Sequence, residues 1–158
     1  MIQSYTLKSL EVFYASVHSI DLSEYSLAQQ QAWAALPINH EKWASRLQKS
    51  RPYYLTVGNK VAGFIEFDMN GKIDCFYVHP HFQRQKIAMQ LYQYIENIAY
   101  QNSIPLLSVD ASKVIKPLFE KQGFMVIKEN LFQINDVDLI NFTMQKILNV
   151  NHITQVKN

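Results

Sequence analysis

FYVHPHFQRQKIAMQLY, residues 76–92, decides the fold. Its left end completes IDCFYV, a β-rich run, and on its right Ile87, Leu91, Ile95 and Ile98 recur at helical spacing. The polar, basic segment between them is therefore a strand-to-helix turn. A helix amino terminus exposes unpaired N–H groups and carries partial positive charge, so such a turn is a ready anion site. Arg84 and Lys86 add cations to it and point to a phosphate-bearing ligand; the alternative is two side chains simply solvated near a helix start.

Upstream, residues 52–78 hold three β-rich runs joined by Gly58-Asn59 and Asn70-Gly71, strong hairpin signals that predict an antiparallel meander. With Asn70 and Gly71 as the two turn residues, Phe67 stands opposite Asp74 and Glu66 opposite Cys75. The Glu66 and Asp74 carboxylates then point to opposite faces, and Asp74 shares a face with Val78; a bulge in either strand would reverse this. At the start of the chain IQSYTL, residues 2–7, reads as a short strand, followed by a helix with Leu10, Phe13, Tyr14 and Val17 on one stripe. Helices are expected over 27–36, with Ser26 as cap, and over 41–49, separated by Pro37.

Downstream the expected elements are a helix over 83–101, a buried strand at PLLSV (105–109) and a helix over 113–122 that ends at Gly123. Strands over 124–134 and 137–147 close the fold as a hairpin, and residues 149–158 form a polar tail. The fold class is α/β (α+β): a mixed, mostly antiparallel central sheet of about six to seven strands flanked by helices, in one domain over residues 1–148.

Composition narrows the function. The chain has 158 residues, 48% hydrophobic and 18% charged, which fits one globular domain and not a disordered chain. A net charge of +2 is too small to call for a polyanion, and no nucleic-acid-binding motif is present, so nucleic acid is not an expected partner. No apolar run approaches the roughly 20 residues needed to span a bilayer, so no membrane insertion is expected. Cys75 is alone, which excludes an internal disulfide, and MIQSYTLKSL lacks the apolar core of a signal peptide; a cytoplasmic location is the default. The turn lacks the Gly-x-Gly-x-x-Gly pattern, which makes a dinucleotide-binding oxidoreductase a weaker reading still. His79 and His81 have no third ligand at zinc-like spacing, so no metal is expected, and Cys75 reads as a small buried strand residue, not a nucleophile.

FYVHPHFQRQKIAMQLY also resembles the acetyl-coenzyme A signature of the GCN5-related N-acetyltransferases (GNAT), whose core is Gln/Arg-x-x-Gly-x-Gly/Ala after a strand ending in Val-x-Pro. Here the core reads Gln83-Arg84-Gln85-Lys86-Ile87-Ala88. ASKVIKPLFEKQGFMV, residues 111–126, is similar to the family's late helix, which ends in Glu-Lys-x-Gly-Phe before a strand. The resemblance implies acetyl-CoA as cosubstrate and direct transfer of the acetyl group to a primary amine of a small molecule or an exposed protein amino group. It assigns cofactor contacts to Val78, His79, Gln83, Arg84, Gln85, Lys86, Ile87, Ala88 and Phe119, with the Val78 N–H facing the thioester carbonyl or the pantetheine arm.

Lys86 stands where the family prefers glycine, and is expected to take helical φ and ψ; Phe119 stands where many members carry a proton-donating tyrosine. Ser112, Tyr77 or water would take over that role, and a thiol of pKa about 8.5 leaves as thiolate with little help. Asp74 is the first candidate for base or amine anchor and Glu66 the second; alternatively each is solvated or paired with a basic neighbour. Tyr25, Trp33 and Trp43 fall in the region that walls the family's acceptor pocket, or are core residues of amphipathic helices. A non-catalytic acyl-CoA-binding sensor or regulatory domain is the alternative function, and the closing hairpin leaves a homodimer open.

Overall fold

A computed structural model describes residues 2–150. Three helices come first: α1 (Ile2–His18), α2 (Leu27–Trp33) and α3 (His40–Ser50). Residues 2–7, expected as a strand, instead open α1. Thr6, Leu10, Phe13 and Val17 lie three or four apart, and of these Thr6, Leu10 and Val17 are buried. The β-propensity of Tyr5 and Thr6 yields to that packing: Phe13 stacks on Trp43 at 5.0 Å and meets Tyr77 edge-on at 4.9 Å. Helix α2 opens with a capping box between Ser26 and Gln29, and the Asn39 side chain caps α3.

The meander follows as β1 (Tyr53–Val57), β2 (Lys60–Phe67) and β3 (Lys72–Val78). After a 3-10 turn at Pro80–Phe82 come α4 (Ile87–Gln101), β4 (Leu106–Ala111), α5 (Lys116–Lys121), β5 (Met125–Ile134) and β6 (Val137–Ile147). The strands form one six-stranded sheet in the order β1-β2-β3-β4-β6-β5, antiparallel except for β3–β4. Helix α4 is the crossover that a parallel neighbour requires. Its Ile87, Leu91, Ile95 and Ala99 seat it on a core with Ile65, Ile73, Leu107 and Met144. Leu148, just after β6, is buried against that core, and positions 151–158 of the polar tail lie outside the described residues.

Two details of the β2–β3 hairpin change what its side chains face. The turn takes three residues, Met69 to Gly71, because the Asp68 N–H reaches Lys72 O at 2.9 Å and the Gly71 N–H reaches Asp68 O at 2.9 Å. Gly71 has φ 91°, and a Cβ there would run into the Leu106 carbonyl at the start of β4. Phe67 then pairs with Ile73 while Ile65 pairs with Phe76, so Glu66 stands against both Asp74 and Cys75 in a bulge. The expectation that Glu66 and Asp74 face opposite ways is corrected by that bulge. Asp74 leaves the Val78 face: Phe76 and Val78 pack with the α4 core, whereas Cys75 and Tyr77 pack on the α1 side.

Strands β3 and β4 pair only at Lys72↔Ser108 and Ile73↔Val109, although both run on. Beyond those pairs they splay. The gap between them positions the site.

Candidate active site

Three local features build the turn at the carboxyl end of β3. The His79 imidazole accepts the His81 N–H at 3.2 Å and shapes the 3-10 turn. Arg84 and Lys86 both adopt left-handed backbone conformations, φ 60° and 61°, which aim successive N–H groups into a shared concavity. Lys86 is thus not in the right-handed conformation expected of it; it holds the backbone shape that glycine adopts at no steric cost, which explains the family's preference there. Lys86 is also the N-cap of α4 and makes no side-chain cap bond, so the helix's first N–H groups point outward. Gly63 lets that first turn sit close to β2, since a Cβ there would lie 2.9 Å from Tyr77 O and 3.2 Å from Ile87 Cγ2.

The splay exposes peptide groups of β3. The His79 N–H bonds Ala62 O at 2.8 Å, so by the alternation of an antiparallel ladder Val78, opposite Gly63, turns its N–H and C=O away from β2. Phe76, opposite Ile65, does the same. Both face the gap that β4 has left, and Gln83 Nε2 reaches Val78 O at 3.4 Å from that side.

A cleft of about 590 Å³ runs through this gap. One mouth holds Gln83, Arg84, Lys86, Ile87 and Ala88, with Ile115 and Leu118 across from them. The other opens on the α1–α2 side, where Tyr25, Trp33, Asp74, Tyr77, Asp110 and Asn141 line it. There Trp33 Nε1 donates to the Tyr77 hydroxyl at 3.2 Å, and Tyr25 Oη accepts the Lys113 N–H at 3.1 Å and donates to Ile140 O at 3.2 Å. Burial pushes both phenols above the usual tyrosine range.

Residues 21–146 match the family of the acetyltransferase (GNAT) domain. The chain belongs to the GNAT family. It is 28% identical over 134 residues to the uncharacterized N-acetyltransferase YafP of Escherichia coli K12, covering 85% of this chain and 84% of that one. Among solved structures it is similar to a GCN5-related N-acetyltransferase from Rhodopseudomonas palustris, with 30% identity, a TM-score of 0.86 and coverage of 92% and 91% of the two chains. The PaiA N-acetyltransferase of Thermoplasma acidophilum, crystallised with coenzyme A, shares the fold at 20% identity, a TM-score of 0.72 and coverage of 92% and 94%. The protein is an N-acetyltransferase with the mixed, mostly antiparallel sheet of that family.

Within this GNAT fold the residues singled out in the sequence take different places. Val78, Gln83, Arg84, Lys86, Ile87 and Ala88 line the cleft around the amino terminus of α4, and Asp74, Tyr77 and Ser112 line it as well. Phe119 is fully buried at the cleft floor between Phe76, Tyr92 and Phe124, where it packs. His79 and Gln85 are not in the lining: the His79 N–H is used by Ala62, and Gln85 Nε2 bonds His81 O at 3.0 Å. Glu66 lies outside the cleft, its side chain 3% exposed, in an ion pair with Arg46 at 2.8 Å. Trp43 packs against Phe13 and Phe64, away from the cleft.

Arg46, on α3, went unremarked in the sequence. Its Nη2 also reaches Asp74 Oδ2 at 3.0 Å and Cys75 Sγ at 3.1 Å. Glu66, Asp74 and Cys75 are the one metal-ligand-like cluster among the described residues, their ligand atoms within 4.8 Å of one another, and the guanidinium sits at their point of convergence. Burial pushes the Cys75 thiol up to about 12, so it is no thiolate near neutrality. Asp110 is a second residue the sequence did not flag. It lines the cleft, pairs with Lys72 at 2.7 Å and accepts from Thr143 at 2.7 Å. Burial pulls its carboxyl upward, but the Lys72 and Thr143 bonds outweigh that and hold it below the usual range. An Asp two residues after a Ser in a strand carries no motif; only the β3–β4 register places it.

Proposed function

We propose that the protein moves an acetyl group directly from acetyl-CoA to a primary amine, in a cytoplasmic setting. The observation that carries this is the splay of β3 from β4 beside the amino terminus of α4. It leaves the Val78 N–H aimed into a cleft whose outer mouth is a cationic nest of Arg84, Lys86 and the first α4 N–H groups. The pyrophosphate would rest on the nest and the pantetheine arm would run along β3, in place of the missing strand partner. The thioester carbonyl then meets the Val78 N–H, which stabilises the oxyanion as the amine adds. The C–S bond breaks and the thiolate leaves; with Phe119 in the core, Ser112, the Tyr77 hydroxyl or water is the group at hand to protonate it.

The test is isothermal titration with acetyl-CoA and with CoA, for the wild type and Lys86→Glu, followed by thiol-release assays with amines. Saturable binding that weakens about tenfold or more on charge reversal, roughly 1.4 kcal/mol or more, is expected. No binding at millimolar ligand would overturn the proposal. The burial of Phe119 favours one second reading, an acyl-CoA-binding module that senses without turnover. Tight binding with no thiol release for any amine would select it.

A further inference from the structure

The sheet has two edges, and they are finished differently. Strand β1 is five residues long, and its ladder with β2 shifts register between Leu55 and Thr56. Shortness and a bulge both blunt an edge against pairing with another chain. Strand β5 forms the other edge and runs for ten residues. Most of it is exposed, with Val126, Ile127, Leu131 and Phe132 among its apolar side chains in solvent. A bulge between Val126 and Lys128 disturbs its start, but from Lys128 to Ile134 the pairing with β6 is regular. Along that stretch one side of the backbone carries N–H and C=O groups that no strand receives.

We propose that this edge binds a second copy of the chain, β5 pairing antiparallel with the β5 of its partner about a two-fold axis at Leu131. Side chains alternate along a strand and opposed residues share a face, so the axis must pass through a residue, not between two. Leu131 is the midpoint of the regular stretch and is 69% exposed. Centring there places Lys128 opposite the partner's Ile134, Glu129 opposite the partner's Gln133, and Asn130 opposite the partner's Phe132. An axis at 128 or 129 would instead oppose two ammonium groups or two carboxylates. The ends are complementary in charge: the Asn135-Asp136 turn that follows Ile134 comes beside the partner's Lys128. Among the described residues neither Lys128 nor Asp136 is ion-paired within its own chain. A strand with opposite charges at its two ends and an apolar middle complements itself when reversed, as an isologous contact requires. The pairing also reaches the cleft. Asn130 bonds Asn141 and Thr143 on the same face of the hairpin as Phe132 and Ile134, which line the cleft. The partner's Asn130 and the partner's Lys128 extend that wall, so each cleft is finished in part by the other copy.

Sedimentation equilibrium of the full chain from about 1 to 200 μM should show monomer and dimer exchanging with a Kd of about 10 μM or tighter. Leu131→Lys sets two ammonium groups on the axis and should raise that Kd at least about tenfold. The side chain is exposed, so the melting temperature at low concentration should not move. Leu131→Cys should form an inter-chain disulfide under mild oxidation, because the opposed Cα atoms would lie about 4.5–5.5 Å apart. Glu129→Cys should not, since its two copies would be about 13 Å apart along the strands. Wild type, whose one thiol is Cys75, is the control for both. A monomer at every concentration would overturn the proposal and leave β5 open to a strand from a different protein. A dimer that survives Leu131→Lys, or that cross-links through residue 129 and not 131, would also overturn it, by placing the contact elsewhere or in another register.

Discussion

The two ends of the cleft are built by different means. The mouth proposed for the cofactor takes most of its lining from one stretch, residues 78–88, and the groups proposed to work there are backbone N–H donors shaped by two left-handed residues. The acceptor end is assembled from side chains of α1, α2, β3, β4, β5 and β6 together with the loops between them. The first tolerates exchange of side chains as long as the backbone keeps its course, which is how lysine stands where glycine is usual. The second is respecified by single substitutions, since every wall comes from a different part of the chain.

The sharpest way to break that contrast is to remove a backbone donor without touching the walls. Val78→Pro deletes an N–H that makes no ladder bond to β2, so the sheet should persist. Loss of about 100-fold or more in kcat, with acetyl-CoA affinity within about threefold, is expected from rapid-quench and titration measurements. Unchanged kcat would separate Val78 from the chemistry. Beside the cleft, Arg46→Met strips the partner from the buried Glu66 carboxylate. That should cost about 3 kcal/mol, a fall in Tm of roughly 10 °C by calorimetry, and release Asp74. A Tm within about 2 °C of wild type would show that α3 does not hold this corner.

Lys86→Gly sharpens the comparison from the other side. It removes the steric cost of a left-handed non-glycine residue and should stabilise the unliganded protein by about 1 kcal/mol in urea unfolding, while weakening acetyl-CoA binding by the loss of one cation. Destabilisation instead would mean the ammonium has a partner that offsets the strain. The smallest effect is expected at Asp110→Asn. The Asp110 carboxyl is held below its ordinary value in the fold, so the stability it confers is complete above about pH 4 and is lost as the pH falls through the lowered value. Solvent screening of this half-exposed pair keeps the difference under about 1 kcal/mol. Unfolding free energies of wild type and variant should differ evenly from pH 7 to about pH 5 and converge in acid; a gap that widened in acid would contradict the pairing with Lys72.

The same contrast explains what the sequence disclosed. The cofactor mouth was legible because local signals agree there: an apolar strand, a basic turn and a helical stripe of Ile87, Leu91 and Ile95. The meander was legible through its turn residues, Gly58-Asn59 and Asn70-Gly71. Residues 2–7 read as a strand because Tyr5 and Thr6 favour strands locally, while the buried face that Thr6 completes with Leu10 and Val17 matters only once the helix packs on the sheet. The relation of Glu66 to Asp74 depended on one extra residue in β3, and periodicity cannot register a bulge. Arg46 and Asp110 lie far apart in sequence from their partners Glu66 and Lys72, so only the assembled sheet reveals them.

Gly71 ties the two ends together mechanically. Its carbonyl accepts the Ser108 N–H at 2.9 Å, and its bare Cα lets β4 lie against the turn at the root of the fork. Strands that diverge from a fixed root open at an angle set there, as blades do from a rivet. A methyl group at residue 71 would act as a wedge under that rivet, altering the width between Val78 and the acceptor wall from a position that touches neither acetyl donor nor amine. The turn that anchors the root of the fork thus lies apart from every residue that lines the cleft.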